Sequence, residues 1–143
     1  MRLEDMQAER INQILTTNIT SQFLCCREAV KRMSTAHGGI GGAIVNVSSA
    51  ASRTGSPGEY IDYAASKGAV MTFTRALAKE LGPQVRVNSI CPGMIDTDFH
   101  NVFTKPEVRT AVSANTPLKK PNRLKVTAVS SKKLTIQSGC IIS

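Results

Sequence analysis

Tyr63 and Lys67 stand four residues apart in the run Tyr63-Ala64-Ala65-Ser66-Lys67. On an α-helix, positions i and i+4 share a face, which would set the phenol beside the ammonium. A phenol gives or takes a proton near neutrality only when its ordinary pKa of about 10 is brought down, and a nearby positive charge does that. The same spacing also arises by chance, as a surface Tyr and Lys one turn apart, so the pair takes its meaning from what surrounds it. Ser49 lies fourteen residues before Tyr63, at the end of a β-branched run and the start of a loop. Pro92-Gly93 ends a second such run, and Thr97 stands four residues beyond Gly93. Asn18 is a polar residue on an otherwise apolar helical stripe. Ligands of open α/β sheets bind at the carboxyl ends of the strands. These positions are therefore expected to converge on one crevice. Plainer roles stand beside this one: Ser48 and Ser49 as loop caps, Asn18 bonded to a carbonyl across a helix bend, and Pro92-Gly93 as an ordinary turn.

The elements that must hold these residues follow from periodicity. From Met6 to Met33, apolar residues such as Ile11, Ile14, Phe23, Cys26 and Val30 recur mostly three or four apart, which predicts a long amphipathic helix. The glycines of His37-Gly38-Gly39 and Gly41-Gly42 predict a loop over 34–42. Ala43-Ile44-Val45-Asn46-Val47-Ser48 is short, β-branched and bounded by turn formers, as a buried strand is. Ser52 to Gly58 is expected to be loop, and a second helix runs from Tyr60 to Leu81, closed by Gly82-Pro83. Val85 to Ile90 is a second strand, stopped by Pro92-Gly93. A short helix from Pro106 to Ser113, a strand over Lys125–Val129 and a weaker one over Leu134–Ile136 complete the expectation. Helix, strand, helix, strand in this order implies parallel strands joined by crossover helices, an α/β layer architecture.

Composition narrows the classes. With 41% hydrophobic and 20% charged residues, the 143-residue chain matches one ordinary globular domain rather than a disordered one. It contains no apolar run of about 18 residues and no signal-like start, so the expected setting is cytoplasmic and away from membranes. Cys25, Cys26, Cys91 and Cys140 follow no zinc or disulfide spacing and are expected to be thiols packed in or near the core. His37 and His100 have no partner pattern, so no metal is called for. The net charge of +8 is concentrated at the end: Leu118 to Ser143 carries six basic residues and no acid, whereas residues 1–117 carry twelve basic and ten acidic groups. A solvated basic tail explains that charge better than nucleic-acid binding, since no aromatic-interleaved basic stripe accompanies it.

Taken in order, Asn18, Asn46-Val47-Ser48-Ser49, Tyr63 to Lys67, and Arg86-Val87-Asn88-Ser89-Ile90-Cys91-Pro92-Gly93 with Thr97 resemble the short-chain dehydrogenase/reductase family over residues 3–117. The stretch Ser48 to Lys67 is similar to bacterial glucose-1-dehydrogenase-like members. The resemblance implies a Rossmann-like, doubly wound parallel sheet and an oxidoreductase that moves hydride between NAD or NADP and a carbonyl or alcohol carbon of a small molecule. It implies that Tyr63 handles the proton on the substrate oxygen. Lys67 would lower the phenol's pKa and hold the nicotinamide ribose hydroxyls. Ser49 would hydrogen-bond the substrate oxygen, and Asn18 would hold a water serving Lys67. Pro92, Gly93 and Thr97 would line the nicotinamide.

Two departures qualify what the resemblance implies. The family's glycine-rich turn, G-x-x-x-G-x-G, occurs nowhere in these 143 residues, and Gly38-Gly39-Ile40-Gly41-Gly42 precedes a strand instead of opening a helix. The chain is therefore expected to represent the C-terminal catalytic portion of such a domain over 1–117, lacking the N-terminal βαβ dinucleotide-binding half, followed by a divergent basic tail over 118–143. Activity of such a chain is an open expectation. The rival reading is a non-catalytic interaction protein that pairs through its two long helices, with itself or with a full-length relative. Substrate identity and the choice between NAD and NADP are not legible.

Overall fold

The computed structural model describes residues 1–95, 106–115, 126–130 and 133–136. They fall into two compact units, one spanning Met1–Cys91 and one beginning at Pro92.

In the first unit the amphipathic stripe folds as α1 (Ala8–Leu15), a π-helical turn (Thr16–Thr20) and α2 (Ser21–Met33). The single expected helix is thus continuous but locally wider. Three of the five residues in the turn are threonine and one is isoleucine, and β-branched side chains crowd the preceding helical turn. Ser21 Oγ donates to Thr17 O, giving that carbonyl a partner inside the turn. After Met33 a short 3-10 turn (Thr35–His37) ends at Gly38 in the left-handed region. A side chain at Gly39 would collide with the Met33 carbonyl, so the close return of the chain at this position requires glycine.

The strand β1 (Gly42–Val47) follows, then a short helix α3 (Ala51–Thr54), the helix α4 (Ile61–Leu81) and the strand β2 (Val85–Ile90). β1 and β2 pair in parallel, with Gly42 opposite Val85 and Val47 opposite Ile90, as the order of elements requires. The stretch expected as loop from Ser52 therefore opens with helix α3. Its origin is local: Ser49 Oγ accepts the Ala51 N–H at 3.2 Å, and Ser52 Oγ donates to Ser49 O at 2.6 Å. Helix α4 starts one residue later than expected, with Tyr60 as its non-helical N-cap, and stops at Gly82, beyond which Pro83 has no N–H to continue it.

The core lies between one face of this sheet and the two long helices. Cys26 of α2, Leu77 and Leu81 of α4, Ile44 of β1 and Val85 and Val87 of β2 form one buried cluster, with Val30, Met33 and Phe73 packed against it. Burying each large aliphatic side chain contributes about 1.5–3 kcal/mol. Alternate strand residues point the other way, and Val47 and Asn88 are exposed there. Asn46 is the polar exception inside, 1% exposed; its amide joins Gln22 of α2 at 2.8 Å and Thr74 of α4 at 2.9 Å. Of the thiols expected in the core, Cys26 and Cys91 are buried and Cys25 is exposed; neighbours on a helix point about 100° apart, so an adjacent pair cannot both face inward.

The second unit contains α5 (Pro106–Asn115) and an antiparallel pair, β3 (Val126–Ser130) and β4 (Lys133–Ile136). Thr97, His100 and Cys140 lie outside the described residues. Among the described residues no helix is long and apolar enough to cross a membrane, and no group of three or more His, Cys, Asp or Glu could hold a metal ion.

Candidate active site

Lys67 ties α4 to the end of β1. Its Nζ donates to Val47 O at 3.0 Å, and its own carbonyl accepts Ser48 Oγ at 2.7 Å. Val47 and Ser48 are the two residues before Ser49, so the lysine is anchored at the strand's carboxyl end, where the loop bearing Ser49 begins. The Val47 C=O and the Ser48 N–H belong to one trans peptide and point to opposite sides, and Ser48 N–H donates to Ile90 O of β2. The Val47 carbonyl therefore faces the opposite edge, where the ammonium meets it.

The i, i+4 spacing places Lys67 Nζ 5.7 Å from the Tyr63 ring centroid, over its face. Burial pushes the Lys67 ammonium down from the usual lysine range. The charge beside Tyr63 is thus lost at a lower pH than that of an exposed lysine.

The other tyrosine is the near neighbour. Tyr60 packs edge-on against Tyr63, ring centroids 5.9 Å apart at 79°. Burial pushes the Tyr60 phenol up and the Glu59 carboxylate adds to it, so Tyr60 stays neutral while Tyr63 alone lies under the lysine. Tyr60 forms an aromatic wall to the site.

Asn18 sits in the π turn, as a bent helix would place it, and reaches α4 rather than the lysine amine. Its Nδ2 donates to Ser66 Oγ at 2.9 Å, and Ser66 Oγ donates to Tyr63 O at 2.7 Å. Ser49, Tyr63, Lys67 and Asn18 are thus linked through β1, α4 and the π turn. Pro92 and Gly93 open the second unit, directly after β2 and Cys91.

Several residues at this site escape sequence reasoning. Asp62 precedes Tyr63, is buried, and pairs with Arg10 of α1 at 2.8 Å. A carboxylate one residue before Tyr63, in a helix first turn, was the available signal. Nothing in the spacing of Arg10, fifty-two residues away, marks it as the partner. Ser66 is fully buried within the motif itself. Ser52 also contributes, since its hydroxyl holds the Ser49 carbonyl and contacts Met71 Sδ at 3.0 Å.

Comparison with known proteins agrees with this geometry. The short chain dehydrogenase family profile matches residues 1–107. The chain is 56% identical over 119 residues to the uncharacterized oxidoreductase YgfF of Escherichia coli (strain K12), covering 82% of this chain and 48% of that protein. Among solved structures, a 3-oxoacyl-acyl carrier protein reductase of Brucella melitensis ATCC 23457 superimposes with a TM-score of 0.76 at 34% identity, over 86% of this chain and 45% of that one. Another such reductase from Brucella melitensis, with bound NAD, gives a TM-score of 0.71 at 31% identity, over 86% and 44%. The chain therefore spans about half the length of the relatives it matches, and its parallel α/β layer is part of their Rossmann-like fold. From the sheet, the two helices and the residues gathered at the end of β1, together with these matches, the chain belongs to the short chain dehydrogenase family.

Proposed function

We propose that residues 1–117 carry the catalytic portion of an NAD- or NADP-dependent oxidoreductase that interconverts a carbonyl and an alcohol on a small molecule, and that 118–143 is a basic tail outside the chemistry. The observation that carries this reading is Lys67 held over the Tyr63 ring at the carboxyl end of β1.

The residues present fit the nicotinamide end of such a cofactor. Lys67 has three N–H donors and spends one on Val47 O, which leaves two directed donors for a pair of ribose hydroxyls. They do not supply a phosphate cradle, because no glycine-rich helix-opening turn occurs in the sequence. A nicotinamide held there supplies or accepts the hydride. This chain's own side chains handle the proton: Tyr63 Oη gives it to the substrate oxygen in reduction and takes it back in oxidation. Ser49 Oγ donates a hydrogen bond to the same oxygen and so favours the charge that develops on it. Lys67 sets the field at the phenol, and Asn18 and Ser66 hold the helix that presents both. Pro92, Gly93 and Thr97 are assigned to the nicotinamide by the family resemblance alone.

The free thiols of Cys25 and Cys26 accord with a reducing, cytoplasmic setting. Pairing through the long helices goes with the same reading, since Leu15, Phe23 and Leu24 are 40%, 51% and 46% exposed along α1 and α2. Those exposed residues also support the second reading, in which the chain serves only as a non-catalytic pairing partner. Turnover separates the two. Purified chain is given NADH or NADPH with acetoacetyl-coenzyme A, or NAD or NADP with D-glucose, and absorbance is followed at the reduced-nicotinamide band. Saturable turnover that Ser49→Ala lowers at least tenfold supports the oxidoreductase reading. Absence of turnover with all pairs, in protein that is folded and dimeric, favours the pairing reading.

A further inference from the structure

We infer that Arg10, Asp62 and Ser66 form a two-point brace on the backbone of Tyr63 and are positioning residues for its proton transfer, an inference that rests on the reading of Tyr63 given above. Tyr63 is the third residue of α4. Amides in a helix first turn have no intrahelical acceptor, and such turns fray unless something holds them. Here the Tyr63 N–H donates to Asp62 Oδ1 at 2.8 Å. The other carboxylate oxygen, Oδ2, takes Arg10 Nε at 2.8 Å, and the Asp62 side chain is only 2% exposed. At the other end of the residue, the Tyr63 carbonyl accepts Ser66 Oγ at 2.7 Å, and the same hydroxyl accepts Asn18 Nδ2 at 2.9 Å.

Both polar backbone groups of one residue are therefore gripped by buried side chains. Both grips lead back to the same preceding segment: Arg10 lies on α1 and Asn18 on the π turn, eight residues further on. The carboxylate is stable in its buried place for reasons that add up. It lies at the positive end of α4, accepts an orphan amide, and faces a guanidinium. Burial alone would push the Asp62 carboxyl up, yet the Tyr63 amide and Arg10 hold it below the usual carboxylate range, so it remains charged at working pH. Displacing a reacting group by about 1 Å can cost on the order of 100-fold in rate, which is the scale on which such a brace acts.

The chain's two tyrosines make the brace directly observable. In a Tyr60→Phe background, labelling with 15N-tyrosine leaves a single amide signal, that of Tyr63. Arg10→Met and Ser66→Ala are each expected to shift that signal and to speed its hydrogen exchange at least tenfold, while exchange in the core of α4, followed in uniformly 15N-labelled protein, is unchanged. Arg10→Lys is expected to restore most of the protection. In the turnover assay the same variants lower kcat about 10- to 100-fold with KM within twofold. If Arg10→Met does not fold, Arg10→Gln keeps a donor and serves in its place. A Tyr63 amide unaltered in the folded variants, or all amides changing alike, overturns the brace. If the unaltered chain shows no Tyr63-dependent turnover, it is the reading of Tyr63 that fails, and the amide signal still decides the brace.

Discussion

Tyr63→Phe is expected to lower kcat by about 10²- to 10⁴-fold, the usual worth of a positioned general acid or base, with little effect on the unfolding transition. The substitution keeps the ring that packs against Tyr60 and lies under Lys67, and removes only the hydroxyl. No hydrogen bond within the described part of the chain holds the fold through that hydroxyl. The Tyr63 contacts that do so are made by its backbone, to Asp62 and Ser66. A loss of turnover at unchanged stability would thus assign the proton to Tyr63 Oη. A kcat within about threefold of the unaltered chain would assign it elsewhere, for an ordinary catalytic contribution is far larger. Tyr60→Phe is the internal control, since its phenol stays neutral and the substitution keeps the ring that packs on Tyr63.

The largest effect on stability is expected at Asn46. It is a polar residue on the buried face of β1, and its amide joins the sheet to both long helices. Asn46 Oδ1 accepts from Gln22 Nε2 at 2.8 Å and from Cys26 Sγ at 3.6 Å, and Thr74 Oγ1, which receives Nδ2, passes its own proton to Val70 O at 2.7 Å. No buried side-chain polar atom among the described residues lacks a partner. Asn46→Ala would strip that network of its centre and leave a void in a closely packed layer. Gln22 is half-buried and can turn towards water, whereas Thr74 cannot. Unfolding free energy is expected to fall by about 2–4 kcal/mol, from the lost buried hydrogen bonds and the cavity together. That is a large share of a typical total of about 5–15 kcal/mol. Urea unfolding followed by circular dichroism measures it, and a change below about 0.5 kcal/mol would show that the network contributes nothing to the fold.

Much of this architecture is legible from residue order. Val85 to Ile90 is β-branched and bounded by proline on both sides, so both its ends and its parallel pairing with Gly42–Val47 follow from short-range rules and the crossover helix. Tyr63 and Lys67 are legible as a pair because a helix fixes their separation whatever packs around it. The π turn is not, because its extra residue is decided by side chains that find partners only after folding, Ser21 on Thr17 and Asn18 on Ser66. Helix α3 escapes for a related reason: four residues held by local serine hydroxyls look like loop in composition. The Arg10–Asp62 pair joins positions fifty-two apart, a distance over which periodicity carries no information. Cys25 and Cys26 cannot be sorted into exposed and buried until the helix phase is known.

The most direct test of the central claim is cofactor binding, read from the fluorescence of NADH and NADPH titrated with the purified chain, beside Lys67→Ala. Lys67 is the residue proposed to hold the nicotinamide ribose: its ammonium is half-buried, bonded once to Val47 O, and set over Tyr63. Saturable binding that weakens about 10-fold or more in Lys67→Ala, the scale of one lost charge-assisted hydrogen bond, is the predicted result. Equal binding by the two proteins, or no binding of either cofactor up to millimolar concentration, would contradict the assignment of this site to a nicotinamide.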